Sequence, residues 1–317
     1  MHPASEFGPI TFESIFVERI WGGRKLASFY GKQIPCDRPI GESWEIVDRP
    51  EAQSIVNTEP LAGRSLHDLW ANFRSEIFGE IRDAPRFPLL IKLLDCQDKL
   101  SLQVHPPPDV ATALNGEAKT ECWYIADASP EAELYLGLRK PIAPAVFRDA
   151  LNDGSVTKLL HRLPVETGDA FLIPSGRIHA IGAGNLIVEV QQNSDTTFRV
   201  YDWDRKDANG ETRQLHVEQA MRCVDFDDCE PKPLVPKGET IVCHELFKME
   251  SWKLQASREF APAGTFAIGF CLTGLVRCSA MSFHPGEFFL LPASGATRTV
   301  EPIEQGSALL RITIPRP

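Results

Sequence analysis

The sequence predicts a mainly β protein, built as a sandwich or barrel with a few short helices. Its 25 prolines and 22 glycines separate short apolar runs, such as Ala170-Phe-Leu-Ile-Pro174 and Phe198-Arg-Val-Tyr201. Short β-rich runs between such turns are typical of all-β folds. Helical spacing of apolar residues occurs over 66–78, with Ser65 as a possible cap, and over the shorter stretches 145–151 and 217–224.

An internal repeat indicates two related β units. Gly168-Asp-Ala-Phe-Leu-Ile-Pro174 resembles Gly286-Glu-Phe-Phe-Leu-Leu-Pro292, and each gives a turn, an apolar strand and a proline turn. Residues 225–236, DFDDCEPKPLVP, are acidic and then proline-rich, which predicts a linker. We therefore expect a larger unit over 1–230 and a smaller C-terminal β unit over 237–317. Five residues after the repeated proline stand His179 in the first unit and Thr297 in the second, so only the first unit can use this position as a metal ligand.

Composition and charge exclude several classes of protein. Of the 317 residues, 43% are hydrophobic and 24% are charged, as in ordinary globular proteins. The net charge of −10, without a basic run, disfavours binding to nucleic acid. No apolar run approaches the ~20 residues of a membrane span, and the N-terminus shows no signal-peptide pattern. The eight cysteines form no C-x-x-C pair and are expected to stay reduced. The sequence thus favours a soluble, cytoplasmic protein that binds no membrane.

Polar residues at alternate positions distinguish one predicted strand. Ser101, Gln103 and His105 alternate with apolar residues and would share one face of that strand. A polar face suits either a strand exposed to solvent or a strand that lines a cavity, because buried polar groups need partners.

Two further segments turn this face into a candidate metal site. Lys119 and Glu121 are expected on one face of a second strand, and His179 supplies a second imidazole. Two imidazoles, a carboxylate and the amide oxygen of Gln103 make a set of three or four ligands. Such a set suits catalytic Zn²⁺, and Fe²⁺, Mn²⁺ or Co²⁺ would also accept it. The remaining histidines are expected to be surface or packing residues: His2, His67, His161, His216, His244 and His284.

The segment 189–205 is rich in polar groups between apolar runs. Its Arg199 is a candidate electrophile or anion clamp, because a guanidinium donates hydrogen bonds in a planar fork. The alternative is a surface salt bridge.

Four motifs carry a family resemblance. They are Ser101-Leu-Gln-Val-His-Pro106, Lys119-Thr-Glu-Cys-Trp-Tyr124, Ile173-Pro-Ser-Gly-Arg-Ile-His179 and Ser194-Asp-Thr-Thr-Phe-Arg199. In this order they resemble type I mannose-6-phosphate isomerases of the shorter bacterial form. The resemblance implies a cupin-type fold with two related jelly-roll β-barrels and one zinc ion.

The resemblance also implies roles for individual residues. The expected metal ligands are His105, Glu121 and His179, with Gln103 as a fourth ligand or close neighbour. The expected substrate contacts are Lys92, Ser101 and Lys119, and the expected catalytic residues are Arg199, Glu189 and Glu42. In one departure, Ile181 stands where larger family members have a tyrosine, so no role of that tyrosine transfers.

The expected activity is a zinc-dependent aldose–ketose isomerisation between mannose 6-phosphate and fructose 6-phosphate through an enediol. A carboxylate would move the carbon-bound proton, and Glu189 is favoured over Glu42. An iron-dependent cupin oxygenase explains two histidines and a glutamate equally well, but not Lys92, Lys119 and Arg199 around one cavity. A sugar-binding cupin without turnover is a third reading. The sequence leaves the oligomeric state open between monomer and dimer.

Overall fold

The computed structural model describes residues 7–206 and 210–315, so His2 lies outside the described residues. The strands, in chain order, are β1 (Ile15–Gly23), β2 (Ile40–Ile46), β3 (Asp48–Arg49), β4 (Ala52–Gln53), β5 (Leu89–Cys96), β6 (Leu102–Val104), β7 (Glu121–Ala128), β8 (Glu133–Leu138), β9 (Leu160–Pro164), β10 (Ala170–Ile173), β11 (His179–Ile181), β12 (Asn185–Gln192), β13 (Phe198–Tyr201), β14 (Thr240–Cys243), β15 (Lys248–Lys253), β16 (Arg258–Glu259), β17 (Ala267–Thr273), β18 (Val276–Cys278), β19 (Met281–Phe283), β20 (Phe288–Leu291), β21 (Thr299–Pro302) and β22 (Ala308–Thr313). The α-helices are α1 (Lys25–Ser28), α2 (Leu66–Asn72), α3 (Arg74–Ile77), α4 (Pro108–Ala111), α5 (Pro144–Asn152) and α6 (Val217–Met221), and 3₁₀ turns cover Thr112–Leu114 and Val156–Leu159.

The strands form four larger sheets, and the mainly β prediction is confirmed. Sheet 1 has the order β1-β2-β5-β12-β7-β10, sheet 2 β13-β6-β11-β8-β9, sheet 3 β14-β15-β22-β17-β20 and sheet 4 β16-β21-β18-β19, with β3-β4 as a separate ribbon. Sheets 1 and 2 belong to the first unit, and sheets 3 and 4 to the second. The fold is of the cupin-like β type, but the sheets of the described residues do not close into barrels. They face each other in pairs as open sheets.

Alternation along the central strands of sheet 1 explains how the sheets stack. Along β5, Leu89, Ile91 and Leu93 pack toward sheet 3. Leu94 and Cys96 pack instead toward sheet 2. Because successive side chains point to opposite faces, a strand that is buried on both sides must be apolar on both. The polar residues that interrupt this pattern are therefore the informative ones.

The core between sheets 1 and 3 joins the two units. It combines Ile91 and Val188 of sheet 1 with Phe270, Leu290 and Ile312 of sheet 3. The two units are also joined by backbone pairing, because Ile10 and Leu290 exchange two backbone hydrogen bonds of 2.8 Å. An apolar core thus contains residues from both sides of the predicted boundary between 230 and 237. The division into two domains at that boundary stays a prediction.

The helical segment over 66–78 is interrupted. Ser65 caps α2, because its hydroxyl accepts a hydrogen bond of 3.1 Å from the Asp68 backbone amide. Phe73 has a non-helical backbone, with φ −129° and ψ 28°, and separates α2 from α3. The apolar stripe still packs into the core, with Trp70 and Ile77 buried. The two shorter predicted helices correspond to α5 and α6.

The repeated segments occupy matching places. β10 pairs with β7 at one edge of sheet 1, and β20 pairs with β17 at one edge of sheet 3. Thr297, the counterpart of His179, is exposed in the loop after β20.

The predicted linker is bonded to the first unit. Glu230 donates from its backbone amide to the carbonyl of Leu138 at 2.9 Å, and Leu234 donates to the carbonyl of Ala170 at 2.7 Å. Such backbone pairing with β8 and β10 makes 225–236 a fixed connection along the first unit.

Two properties of the whole chain follow from the described residues. No helix in 7–206 or 210–315 is long and apolar enough to cross a membrane. The eight cysteines are all free thiols.

A glycine at the junction of the two units provides a test of this packing. Gly79 has φ +69°, and a Cβ added there would lie 2.2 Å from the carbonyl oxygen of Gly264. Gly63 has φ +83°, but a Cβ there would meet no atom within 4 Å. Both alanine variants bear the left-handed backbone cost of ~1–2 kcal/mol, whereas only Gly79→Ala adds a clash, which costs ~1–3 kcal/mol. Urea unfolding should therefore show a larger loss for Gly79→Ala than for Gly63→Ala, and equal losses would contradict the junction as described.

Candidate metal centre and active site

The candidate site lies between sheets 1 and 2. In sheet 1, Glu189 of β12 is in register with Lys92 of β5 on one side and with Trp123 of β7 on the other. In sheet 2, Gln103 of β6 is in register with His179 of β11. Residues in register on neighbouring strands project to the same face, so the pleat of the two sheets brings these side chains toward one another.

Three buried side chains form a group that could hold a metal ion. One ligand atom from each of His105, Glu121 and His179 lies within 4.8 Å of the others. The Nε2 atoms of His105 and His179 are 3.6 Å and 3.7 Å from the carboxylate oxygens of Glu121. Donor atoms that surround a tetrahedral ion at ~2.1 Å are roughly 3.4 Å apart. The two histidine–glutamate distances are close to this value.

Both histidines are oriented by backbone carbonyls. Nδ1 of His105 donates to the carbonyl of Thr196 at 2.8 Å, and Nδ1 of His179 donates to the carbonyl of Arg177 at 2.9 Å. Because a carbonyl only accepts, each Nδ1 carries the proton and each neutral ring presents the lone pair of Nε2 to the group. Metal-binding histidines are held in this way in many proteins.

Glu121 gives a further sign that the group fits a cation. In the described part of the chain, both of its carboxylate oxygens are buried and accept no hydrogen bond. Their close partner is the Lys119 ammonium, whose Nζ lies 2.9 Å from Oε2 as an ion pair. A buried carboxylate with free lone pairs is costly without a positive partner, and a divalent ion among these three residues would supply one.

Gln103 lies against the same group. Its Nε2 donates to Nε2 of His179 at 3.2 Å, and its Oε1 accepts from the Ser101 hydroxyl at 3.3 Å. A rotation of the amide would exchange these two atoms and present the oxygen to the metal-binding atoms. The expected fourth ligand is thus within reach of the group.

The electrostatics of the group favour the protonation states that bind metal. Burial, and then the neighbouring Lys119, lower the pKa of His105. Burial and then His105 lower the pKa of His179 to about 3. Burial opposes ionisation of Glu121, but Lys119 and His105 outweigh it and hold the pKa of that carboxyl well below its usual range. Neutral imidazoles and an ionised carboxylate are the forms that coordinate metal.

A cavity of about 520 Å³ opens beside this group. The predicted residues that line it are Glu42, Lys92, Ser101, Gln103, Lys119, Glu189 and Arg199. A larger cavity of about 1030 Å³ lies elsewhere, beside Tyr30, Tyr124 and Ser251, and contains none of them. We therefore assign the chemistry to the smaller cavity, because it holds the cluster of ionisable groups.

Three carboxylates surround Lys92. Its Nζ lies 3.5 Å from Glu42, 3.7 Å from Glu189 and 4.0 Å from Asp195. Indole groups orient two of these carboxylates, since Trp44 donates to Glu42 at 2.6 Å and Trp123 donates to Glu189 at 2.9 Å.

The two expected catalytic carboxylates differ in their pKa values. Burial and then the nearby charge of Glu121 raise the pKa of Glu189 to about 7. Burial acts in the same direction on Glu42, but Lys92 and Arg19 outweigh it and lower the pKa of Glu42 to about 2. Of the two carboxylates, Glu189 therefore has the pKa closer to neutral pH.

Arg199 is half-buried at the wall of the cavity. Its Nε donates to the Ser101 hydroxyl at 3.1 Å, and its Nη1 donates to the carbonyl of Gln214 at 3.1 Å. Burial and the neighbouring Arg213 lower the pKa of Arg199. These two hydrogen-bond partners are neutral, so the positive charge of the guanidinium is available to an anion.

Lys119 is placed differently from its prediction. β7 begins at Glu121, so Lys119 precedes the strand rather than lying on its face. Its Nζ still reaches Glu121, and it lies 3.4 Å from Nε2 of His105. Burial opposes its charge, but Glu121 and then Glu189 outweigh this effect and raise the pKa of Lys119. Lys119 thus contacts the candidate metal group and also lines the cavity.

Comparison with known proteins identifies the family. Residues 10–150 match the family profile described as phosphomannose isomerase type I, catalytic domain. A Bacillus subtilis protein described as a probable mannose-6-phosphate isomerase is 38% identical over 307 residues, which cover 92% of this chain and 96% of that protein. The chain belongs to the type I phosphomannose isomerase family. The family resemblance inferred from the four motifs is thereby confirmed.

Other phosphomannose isomerases agree with this result. A mannose-6-phosphate isomerase of Streptococcus mutans is 36% identical over 295 residues, covering 90% of this chain and 92% of the relative. The crystal structure of a mannose 6-phosphate isomerase from Bacillus subtilis superposes with a TM-score of 0.86 at 32% identity, covering 97% of this chain and 100% of that chain.

In this phosphomannose isomerase family member, the cavity also contains residues to which the sequence patterns assigned no role in the site. They are Arg19, Asp195, Arg213 and His216. His216 was expected at the surface or in packing, but its Nδ1 accepts a hydrogen bond of 3.3 Å from the Arg199 backbone amide. No local sequence pattern predicts that His216 lines the cavity, because its place there depends on its contact with β13. Arg19 pairs with Glu42 at 2.6 Å, and this contact forms only once β1 lies beside β2.

Proposed function

We propose that this protein is a zinc-dependent aldose–ketose isomerase that interconverts mannose 6-phosphate and fructose 6-phosphate. The observation that supports it most is the buried group of His105, Glu121 and His179 beside a cavity lined by both carboxylates and cations. Membership of the phosphomannose isomerase family agrees with this chemistry. The substrate would be a small sugar phosphate, and we place the enzyme in the cytoplasm.

His105, Glu121 and His179 would hold one zinc ion per chain, with Gln103 as a fourth ligand or close neighbour. Two imidazoles and a carboxylate make a common catalytic zinc set that leaves a position open. When bound, the ion would act as a Lewis acid toward sugar oxygens and the negative charge that develops on them.

Glu189 is the carboxylate that we propose for the proton transfer between C1 and C2, through an enediol. It faces the cavity, and the Trp123 indole fixes one of its oxygens. A general base works best when its pKa lies near the working pH, and Glu189 is closer to this condition than Glu42. Glu42, held as an ion pair with Arg19 and Lys92, would position these cations at the wall of the cavity.

The anionic end of the substrate needs local positive charge in a chain whose net charge is −10. We propose that Lys92, Ser101 and Lys119 serve this end or its immediate surroundings. Both lysines already face carboxylates, so a phosphate would share them rather than find them unpaired. Ser101 is hydrogen-bonded to Arg199, so the serine would bring this guanidinium to the same region.

Lys119→Ala should raise KM for fructose 6-phosphate by about tenfold or more. A charge-assisted hydrogen bond contributes ~1.5–3 kcal/mol, and each 1.4 kcal/mol corresponds to about a factor of ten in affinity. Lys32→Ala is a matched control, because Lys32 forms a buried ion pair of 2.7 Å with Glu45 outside this cavity. Steady-state kinetics on samples of known metal content measure the effect. Unchanged KM and kcat in Lys119→Ala would remove Lys119 from the site.

A single assay tests the activity itself. Purified protein of known zinc content is incubated with fructose 6-phosphate, and mannose 6-phosphate is measured. The proposal predicts mannose 6-phosphate formation that stops when a chelator removes the metal and resumes when zinc is returned. Metal binding without any isomerisation would favour the oxygenase or the sugar-binding reading instead.

A further inference from the structure

The turn between β10 and β11 is held by an ion pair from outside the site. Arg177 donates from Nε and Nη2 to the two carboxylate oxygens of Asp228, both at 2.7 Å, and from Nη1 to the carbonyl of Leu172 at 2.6 Å. The side chains of Arg177 and Asp228 are only 15% and 16% exposed. A partly buried, two-pronged contact of this kind has a defined geometry as well as strength.

The backbone of the same arginine orients a proposed metal ligand. The carbonyl of Arg177 accepts the hydrogen bond from Nδ1 of His179. The position of this peptide therefore sets the direction in which the imidazole presents Nε2. Because the side chain of Arg177 is fixed on Asp228 and Leu172, its backbone has little freedom to move.

The segment that carries Asp228 is attached to the site by further hydrogen bonds. Asp225 donates from its backbone amide to the carbonyl of Gly176, and Gly176 donates in turn to the carbonyl of His105, both at 2.9 Å. The carbonyl of Asp228 accepts from the amide of Leu138 at 2.9 Å. A stretch that reads as a linker thus connects to the backbone of His105 through Gly176 and to the imidazole of His179 through Arg177.

We infer that Arg177 and Asp228 are positioning residues for the metal centre, and that they act through the peptide that orients His179. This inference rests on the proposed metal-binding function of the site. Neither side chain is a metal ligand. Their contribution is to keep the His179 imidazole at the angle required for binding. Loss of a group that orients a metal ligand typically weakens metal binding 10–100-fold. Because Arg177 and Asp228 act on His179 through one peptide, we expect an effect near the lower end of this range, about tenfold.

The test compares two ion pairs of similar burial. Asp228→Asn removes the charge but keeps the shape, and Arg177→Lys keeps the charge but loses the fork. The control is Glu250→Gln, because the Arg311–Glu250 pair in sheet 3 has side chains 12% and 11% exposed and lies outside the site. Zinc affinity is measured by competition with a chelator, and the visible spectrum of the Co²⁺-loaded protein reports the ligand geometry. Thermal unfolding is recorded for all three variants.

Asp228→Asn should bind zinc about tenfold more weakly and shift the Co²⁺ bands, and Arg177→Lys should show a smaller change. Glu250→Gln should lose stability without either effect. If Asp228→Asn loses stability but keeps the zinc affinity and Co²⁺ spectrum of the control, the inference is wrong. Should that variant fail to fold, Arg177→Lys decides by the same two readouts. A wild-type protein that binds no metal would instead overturn the proposed function, so the two failures are distinguishable.

Discussion

Replacement of His179 by alanine should reduce zinc affinity by more than about 100-fold and abolish measurable isomerase activity. Groups that merely orient a metal ligand are worth 10–100-fold in metal affinity, so removal of a ligand itself should cost more. Loss of the ion would also deprive the buried Glu121 carboxylate, whose oxygens accept no hydrogen bond among the described residues, of a positive partner. Metal analysis of the purified variant, together with the fructose 6-phosphate assay, measures both effects. His105→Ala should behave in the same way.

A surface histidine provides the control for this experiment. His284 is exposed in the C-terminal unit, so His284→Ala should keep one zinc per chain and full activity. Full zinc occupancy in both His105→Ala and His179→Ala would contradict the assignment of these residues as metal ligands. Metal retained in His284→Ala but lost in the other two would support it.

Arg199→Ala should lower kcat by ~10²–10³ and raise KM much less. Removal of the carbon-bound proton gives an enediolate, whose negative charge the ground-state sugar lacks, so a nearby cation interacts more strongly as this charge develops. Loss of one such preorganised donor typically costs ~10²–10³ in kcat. Arg199→Lys keeps the charge but not the planar fork, so it should rescue activity only in part. Both variants should retain zinc, because arginine is not a ligand.

The position of Arg199 allows one other outcome. Its guanidinium is bonded to Ser101, which we propose at the anionic end of the substrate. If Arg199→Ala raises KM and leaves kcat intact, Arg199 is a phosphate clamp. The stabilisation of the enediol would then have to come from other groups of the site.

The residues of the site were predictable where a strand pattern or a motif placed them. Alternation predicted that Gln103 and His105 project together, and the motifs added Glu121 and His179. In the structure Gln103 lies in β6 and His105 directly follows it. The same alternation was less accurate outside the strand. Leu100 is one of the apolar residues that alternate with Ser101, Gln103 and His105, and this alternation would place it on the opposite face. It precedes β6, however, and lines the cavity with Ser101 and Gln103. Lys119 reaches Glu121 from a loop, where the two-residue period of a strand no longer applies.

Long-range pairings were beyond what the sequence could show. His216 and Arg213 reach the cavity because the chain after β13 folds back onto it, and nothing local encodes that path. The interruption of the helix at Phe73 could not be predicted either, because the helical spacing of apolar residues continues through that position. The interval 225–236 has the composition of a free linker, but its backbone pairs with Leu138 and Ala170. Composition indicates how much apolar surface a segment can bury on its own. It does not indicate which backbone groups elsewhere in the fold the segment will pair with.

The apolar core shared by sheets 1 and 3 has a consequence for how the molecule comes apart. A chain cut after residue 230 would expose the face of sheet 1 that carries Ile91 and Val188, because the side chains that cover it, such as Phe270 and Ile312, belong to the missing part. Exposed apolar sheet surface of this kind promotes aggregation. The C-terminal copy of the repeat has Thr297 where its partner has a metal-binding candidate, and it nevertheless forms one wall of the catalytic half. Heating should therefore unfold both units together in one calorimetric transition, without an intermediate in which the first unit alone stays folded.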